Sequence, residues 1–409
     1  MLIDALKKIY KKINNNVVHG TEGERMPYGP QMEYLDNFPE PEDDFERSYF
    51  KYKCFCEYCY YKRKWMVAVY NIGAMVLLPF VHSNLRKAKP SEPFIEKMDA
   101  VIENVPRLPN ADVIPQEIVD KYPKVKEIEV VDYTDAFLSD EAEAIYQELK
   151  KRYFSKFYFR MIAAQKLGQF SRFLKAYKPE AIAFYSCERE FTGPLQAMLC
   201  ERCGAEYLAF MHGDYISTLS FAFQRYSKYY VWDESYKDMF DRLKCASPMT
   251  VYRPSKLKGI ATPINEKECT YFATYYFSDE TRKEAESIYE TFSKFEAEGL
   301  RTKIRPHPRF SDLEMLGEVF KDIMIEDTKN YSLSDSITNS LYTVGLNTTV
   351  LSEACFSGKK VVIDDISNSQ KYMELDERGY VMIKRPHILL TELADTKYLE
   401  YNEEYAFHK

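Results

Sequence analysis

From about residue 118 onward, short apolar runs alternate with stretches whose apolar positions recur at helical spacing, the pattern of strands separated by helices. In the first series Ile128-Glu129-Val130-Val131 predicts a strand and Asp140–Tyr153 a helix capped by Asp140. Ala164–Tyr177 predicts a further helix, Ala181–Tyr185 a buried strand, Pro194–Cys203 a helix, and Ala205–Met211 and Tyr229–Trp232 two more strands. Pro254–Pro263, carrying Lys256, Lys258 and Gly259, breaks the pattern and reads as a connection. The alternation then restarts with strands at Tyr271–Tyr276, Thr302–Arg305, Ile323–Ile325, Ser340–Val344 and Lys360–Asp364. Helices Glu280–Gly299, Asp312–Phe320, Leu333–Ser336 and Thr349–Ser357 fall between them. Apolar strands covered on both faces by helices form parallel sheets, so the expected fold class is α/β with two Rossmann-like doubly wound domains. The boundaries that follow are 1–115 for a helical or irregular amino-terminal extension, 116–255 for the first domain and 256–409 for the second.

The extension has a different pattern. Leu2, Ile3, Leu6, Ile9, Tyr10 and Ile13 share one helical face and Lys7, Lys8, Lys11 and Lys12 the other, a basic amphipathic helix fit either for an anionic membrane surface or for packing on its own domain. Residues 14–48 are polar, acidic and proline-containing and read as a loop or extended arm. Residues 66–81 form the longest apolar run, between Lys62-Arg63-Lys64 and Arg86-Lys87. Slightly short for a membrane span and interrupted by Asn71, Gly73 and Pro79, this run reads as a buried or interfacial helix. With its basic flanks it allows peripheral contact at the inner face of a membrane.

Composition narrows the function. A chain of 409 residues with 45% apolar side chains can fill two cores, and a net charge of −7 lacks the basic field of a nucleic-acid binder. The start lacks a secretory apolar region and cleavage site, so a cytoplasmic location with reduced thiols is expected. Nine cysteines form no regular disulfide framework. Cys54, Cys56 and Cys59, with Cys200 and Cys203, have metal-like spacing, but Phe55, Tyr58 and Tyr60 between the first three favour a buried aromatic segment. The 34 Tyr and 26 Phe are mostly core residues, some of them available to hold sugars or bases by ring contact.

The chemistry concentrates at strand ends. Arg305-Pro306-His307-Pro308-Arg309 follows a strand, and its two prolines fix the backbone around His307 so that the imidazole is held out as a donor, with Arg305 or Arg309 adding positive charge. Some forty residues later Gly345-Leu346-Asn347-Thr348-Thr349 ends another strand and opens a helix containing Glu353. Asn347 and Thr348 can cap it, and its free N–H groups would face an anion. In the first domain Tyr185-Ser186-Cys187-Glu188-Arg189-Glu190 and Met211-His212-Gly213-Asp214 conclude two strands. Gly213 is expected to permit an unusual backbone angle that projects His212 and Asp214, and Glu188, Glu190, His212 and Asp214 are all candidates for a general base. Asp364-Asp365 is the nearest approach to a metal-binding acidic pair, but it suits a loop, so no metal is expected.

His307-Pro308, Thr348-Thr349 and the His212-Gly213 turn together resemble bacterial GT-B transferases of capsule and surface-polysaccharide synthesis. These include sialyltransferases and polysialyltransferases, Kdo transferases, and polyol-phosphate polymerases of the teichoic-acid type. The resemblance spans about residues 180–365 by short motifs. It implies an inverting, metal-independent glycosyltransferase with no resident cofactor, in which His307-Pro308 and Thr348-Thr349 hold the CMP of a nucleotide-sugar donor. The implied partners are that donor, carrying a sialic acid or Kdo type of sugar, and a glycan acceptor. The base of the sialyltransferase-like groups sits in an acidic-acidic-Gly motif, whereas this chain offers Glu188-Arg189-Glu190 without the glycine. A His-Gly turn, here His212-Gly213, marks the polyol-phosphate and Kdo groups, so a CDP-polyol-dependent transferase with His212 as base is an alternative. A non-catalytic scaffold in a glycan-assembly complex is another. Ser352-Glu353-Ala354 followed by Gly358-Lys359-Lys360 resembles the donor-binding helix of nucleotide-sugar transferases generally.

Overall fold

The computed structural model describes residues 26–88, 94–103, 113–128, 136–185, 188–254, 268–273, 281–308 and 311–395. The basic helix expected over residues 2–13, the 254–263 connection apart from Pro254, and Arg309 lie outside them. The described residues divide into two compact units. The first runs to His212 and again from Ser217 to Tyr252; the second comprises Gly213–Ile216 and the chain from Arg253 onward.

The first unit is built on six strands, β1 (Ala100–Glu103), β2 (Val125–Ile128), β3 (Ala181–Phe184), β4 (Glu206–Phe210), β5 (Lys228–Val231) and β6 (Met249–Val251). They pair in parallel in the order β2-β1-β3-β4-β5-β6. All four residues of β3 are buried, as expected for a strand covered by helices on both faces. Phe170 of helix Phe157–Tyr177 meets Phe184 of β3 and Tyr207 of β4 edge-on at 5.3 and 5.4 Å, which ties a covering helix to the sheet centre.

Several elements differ from the sequence reading, each for a local reason. β1 already belongs to this sheet although it falls within the stretch read as an extension, because four residues are too few to show a period. Of the expected strand at 128–131 only Ile128 is described, as the last residue of β2. The helix expected from Ala164 starts at Phe157 and is buried nearly all round, so no polar stripe marks its beginning. Ser139, not Asp140, caps the preceding helix by accepting from Ala142 N–H at 3.2 Å, and Asp140 takes the first turn, where an acid favours the helix dipole.

The polar arm read over residues 14–48 contains helix Tyr28–Asp36 and the start of helix Asp44–Cys59. Both are held by contacts distant in sequence. Gln31 accepts from Leu219 N–H at 2.7 Å, Ser48 donates to the Phe191 carbonyl at 2.7 Å, and the buried Lys51 amine donates to the carbonyls of Glu188 and Ala222. Cys54 and Cys56 lie on the buried face of Asp44–Cys59. Burial pushes the Cys54 thiol up to about 12 and raises Cys56 and Cys200 as well, so these sulfurs behave as core atoms.

In the second unit β7 (Glu268–Phe272), β8 (Arg301–Arg305), β9 (Met324–Ile325), β10 (Tyr342–Gly345), β11 (Lys360–Ile363) and β12 (Ile388–Leu389) form a parallel sheet in the order β12-β11-β10-β7-β8-β9. The chain starts in the middle with β7, winds outward through β8 and β9, then returns to the other side of β7 with β10. That is the doubly wound order, and the crevice beyond the carboxyl ends of β7 and β10 is where open α/β sheets receive ligands. Helix Arg282–Ala297 covers the sheet through Ile288, Phe292 and Phe295 and stops at Gly299, whose φ of 88° lies in the left-handed region. Both expected domains are thus Rossmann-like doubly wound units.

Candidate functional site

β10 delivers Gly345 to the switch point of the second sheet. A side chain there would lie 3.1 Å from Thr348 Cγ2 and 3.5 Å from the Phe272 carbonyl, so the glycine lets the loop turn tightly against β7. Thr348 adopts extended backbone and caps helix Thr349–Phe356, its hydroxyl accepting from Val350 N–H at 3.4 Å. Asn347, Thr348 and Thr349 are half-buried, while Glu353 on the next turn is buried. One member of the hydroxyl pair is therefore a cap, and the other stands on the helix's first turn.

His307-Pro308 follows β8, so it lies at the same carboxyl edge of the same sheet, with only β7 between β8 and β10. Adjacent strands lie about 4.8 Å apart, which separates the two strand ends by roughly 10 Å of sheet. Pro306 is buried, His307 half-buried and Pro308 exposed. The turn is closed at its base by the Ser311 hydroxyl, which accepts from His307 N–H at 2.8 Å.

Arg305 does not join this edge. Its guanidinium is buried and donates to Glu326 at 2.6 Å, to the Ser336 hydroxyl at 2.5 Å and to the Tyr331 carbonyl at 3.1 Å. Lys303, two residues earlier on the same face, lies 3.0 Å from Glu268 and 3.5 Å from Glu326. The charge read as a phosphate clamp is the core of an interior ion-pair network, because alternate residues of a strand point the same way and Arg305 follows Lys303 inward.

The candidate bases separate equally clearly. Glu188 is 3% exposed, with its carboxylate 3.5 Å from the Tyr229 hydroxyl. Glu190 pairs with Lys166 at 2.5 Å and accepts from Gln196 at 3.2 Å. Both candidate bases are thus held by partners within the first unit. Arg189 between them is exposed, its guanidinium 5.6 Å from the Phe221 ring centre.

The His212-Gly213-Asp214 segment behaves differently. His212 is half-buried and ends the strand region of the first unit, whereas Gly213–Ile216 packs as part of the second. Asp214 N–H donates to the Thr349 hydroxyl at 3.4 Å, and the Asp214 carboxylate receives the Ser352 hydroxyl at 2.8 and 2.7 Å. Asp214, read from sequence as a first-domain residue, is seated on the first turn of the candidate donor helix. Contrary to the expectation from sequence, the approach needs no unusual backbone angle at Gly213. Its φ is not positive, and a Cβ there would meet Thr349 Oγ1 at an ordinary 3.5 Å.

Two further residues complete this corner: Ser352, which the sequence marked only as part of the Ser352-Glu353-Ala354 helix, and Tyr380, which carried no sequence signal. Ser352 positions Asp214, and its Oγ also lies 3.3 Å from Met382 Sδ. Tyr380 follows Gly379, whose φ of 64° turns the chain back toward the helix entrance. The Tyr380 hydroxyl is fully buried beside the Asp214 carboxylate and the Thr348 backbone N–H, with no hydrogen bond of standard geometry among the described residues. Burial, followed by the Asp214 charge, holds its pKa well above the usual phenol value. A neutral phenol O–H is thus kept at the mouth of a helix N-terminus.

Asp364 and Asp365, after β11, are satisfied internally. Asp364 accepts from the Tyr271 hydroxyl at 2.7 Å, from Ile366 N–H at 3.1 Å, and from both the N–H and the hydroxyl of Ser367. Asp365 caps Thr391, taking its N–H at 3.0 Å and its hydroxyl at 2.5 Å. This arrangement uses the pair as turn-builders.

No protein-family model matches the chain, and no curated protein matches it. Among solved structures it is similar to the wall teichoic acid polymerase TagF, with 11% identity, 84% of this chain and 88% of that chain covered, and a TM-score of 0.43. It is also similar to a UDP-GlcNAc 2-epimerase from Neisseria meningitidis bound to UDP-GlcNAc, at 11% identity, 77% and 95% coverage and a TM-score of 0.42. For the calicheamicin glycosyltransferase the values are 8%, 71%, 85% and 0.39. Scores and identities this low say nothing of substrate or reaction.

Proposed function

We propose that this chain is a metal-independent transferase acting on a nucleotide-activated donor, and that the donor is a CMP-linked acidic sugar transferred with inversion to a bacterial surface glycan. One observation carries the reading. The switch-point edge of the second sheet bears a hydroxyl-capped helix entrance, a proline-flanked imidazole and a carboxylate anchored at the helix's first turn. As the bond from the sugar to its phosphate oxygen breaks, negative charge gathers on the departing nucleotide. The positive end of the Thr349–Phe356 helix, the Thr349 hydroxyl, the Tyr380 phenol and His307 supply potential and donors for that charge. Asp214 accepts the proton of the acceptor hydroxyl. A second reading, in which a CDP-linked polyol phosphate is the donor and His212 the base, gains from the seating of the segment that follows His212.

The test has two steps on the full chain. Thermal unfolding against CMP, CDP, UDP and GDP should show selective stabilisation by cytidine nucleotides, about 2.7 kcal/mol at a hundredfold excess over the dissociation constant. Turnover is then measured with CMP-sialic acid, CMP-Kdo and CDP-glycerol, where consumption of a CMP-sugar is expected and consumption of CDP-glycerol alone selects the second reading. Failure of every nucleotide to stabilise the protein, or undiminished turnover by His307→Ala, overturns the assignment. Stabilisation by CMP with no donor consumed would make the chain a binding scaffold.

A further inference from the structure

We infer that helix Lys64–Lys87 docks its outward face on an anionic lipid bilayer, lying in the plane of the surface and not crossing it; this stands independently of the donor assignment. The helix has 24 residues and so extends about 36 Å. Trp65, Val69, Ile72, Val76 and Phe80 follow one another at spacings of three or four residues and therefore form one stripe, which Met75 widens. Exposure of these side chains runs from 47% at Met75 to 67% at Phe80. Isolated exposed apolar residues are ordinary, but six along one helix make a continuous patch of the kind that marks an interaction surface.

The opposite face is committed to the first unit. Ala74 and Leu78 are buried. Asn71 donates to the Ser155 carbonyl at 3.2 Å and accepts from Tyr158 N–H at 3.1 Å. His82 pairs with Glu143 at 3.0 Å and stacks on Tyr146, and the Leu85 carbonyl accepts from Leu138 N–H. The helix is long and apolar enough to cross a membrane. A crossing orientation would drag Glu143, Asn71 and the helices they tie to into hydrocarbon, whereas an in-plane one immerses only the stripe.

Charge identifies what covers the stripe. Lys62, Arg63 and Lys64 at one end and Arg86 and Lys87 at the other are all exposed, although Lys64 also pairs with Glu57 at 2.5 Å and Arg86 lies 3.7 Å from Glu143. Two copies of the chain pairing through this face would set basic end against basic end in either direction. A surface that is apolar within and negative at its rim satisfies both ends at once, and Trp65 stands at the boundary where an indole ring prefers to sit.

The experiment is co-flotation of the full chain with phosphatidylcholine vesicles, alone or containing roughly a third phosphatidylglycerol. Binding is expected to the anionic vesicles and to weaken with salt. The two tryptophans make the contact visible, since Trp232 is 1% exposed while Trp65 is 65% exposed. Trp65 emission should shift to the blue on binding, and Trp65→Phe should abolish the shift. The double variant Ile72→Gln, Val76→Gln alters exposed sites only, so it should unfold at the parent temperature yet partition on the order of tenfold more weakly or worse. Lys62→Glu with Lys87→Glu should cost about fivefold per charge. Absence of vesicle binding by the parent overturns the inference, and so does a double variant that binds as the parent does, which would place the contact elsewhere. A dimer in sedimentation equilibrium that the double variant dissolves would show that a second copy covers the face.

Discussion

Replacing Asp214 by Asn separates the roles that its position allows. The substitution preserves shape and one acceptor oxygen for the Ser352 hydroxyl, which in the parent approaches the two carboxylate oxygens at 2.8 and 2.7 Å. It removes one negative charge from the first turn of Thr349–Phe356. If a nucleotide phosphate binds that helix entrance about 6 Å away, two unit charges at an effective dielectric near 20 repel by about 3 kcal/mol. Solvent screening at a half-buried site reduces this, so CMP should bind about tenfold more tightly to Asp214→Asn. Turnover should move the opposite way, falling by a factor of about 10² to 10⁴ as the proton acceptor is lost. Ser352→Ala is the companion variant. It keeps the charge but removes a hydrogen bond to an ionised group worth about 1.5–3 kcal/mol, so turnover should fall less and CMP affinity should stay near the parent value. Isothermal titration with CMP and steady-state CMP release from the donor measure the two quantities separately. Weaker CMP binding in Asp214→Asn would refute the reasoning by making the carboxylate a ligand contact. Lower stability with unchanged binding and turnover would reduce it to the helix's own counter-charge.

Two further outcomes follow from the interior of the second unit. Arg305→Met leaves the Glu326 carboxylate buried without its main partner and should destabilise the unit by about 3–5 kcal/mol in urea titrations, with CMP affinity unchanged under folding conditions; a selective loss of affinity would restore Arg305 to the binding edge. Asp364 is fully buried, and desolvation raises its pKa above the ordinary 3.8. With a folded value above the unfolded one, its contribution is fully present below about 3.8 and is lost as pH rises through the elevated value. Asp364→Asn should therefore flatten the decline of stability with rising pH over that window, as read from urea midpoints, and an unaltered profile would count against the assignment.

Much of the architecture was legible along the chain, since a parallel sheet covered on both faces requires its strands to be short apolar runs and its connections to carry helical period. β3, β4, β5, β8 and β10 were placed to within a residue or two on that ground alone. β1 and helix Tyr28–Asp36 were not, one being too short to show a period and the other being held mainly by partners more than a hundred residues away. The candidate site divides in the same way. The proline-locked His307 and the Gly345–Thr349 helix entrance are local chemistry, written in consecutive residues, and the winding order then sets them on one edge. Which charges face that edge was decided by tertiary structure. Arg305 turns inward to Glu326, Glu190 is taken by Lys166, Asp214 is captured by Ser352, and Tyr380 is folded back from beyond the last helix of the motif. Backbone preference acts over a few residues and can be read from them. The partner of a charge is set by burial among groups far apart in sequence, and only the folded chain brings those groups within reach of one another.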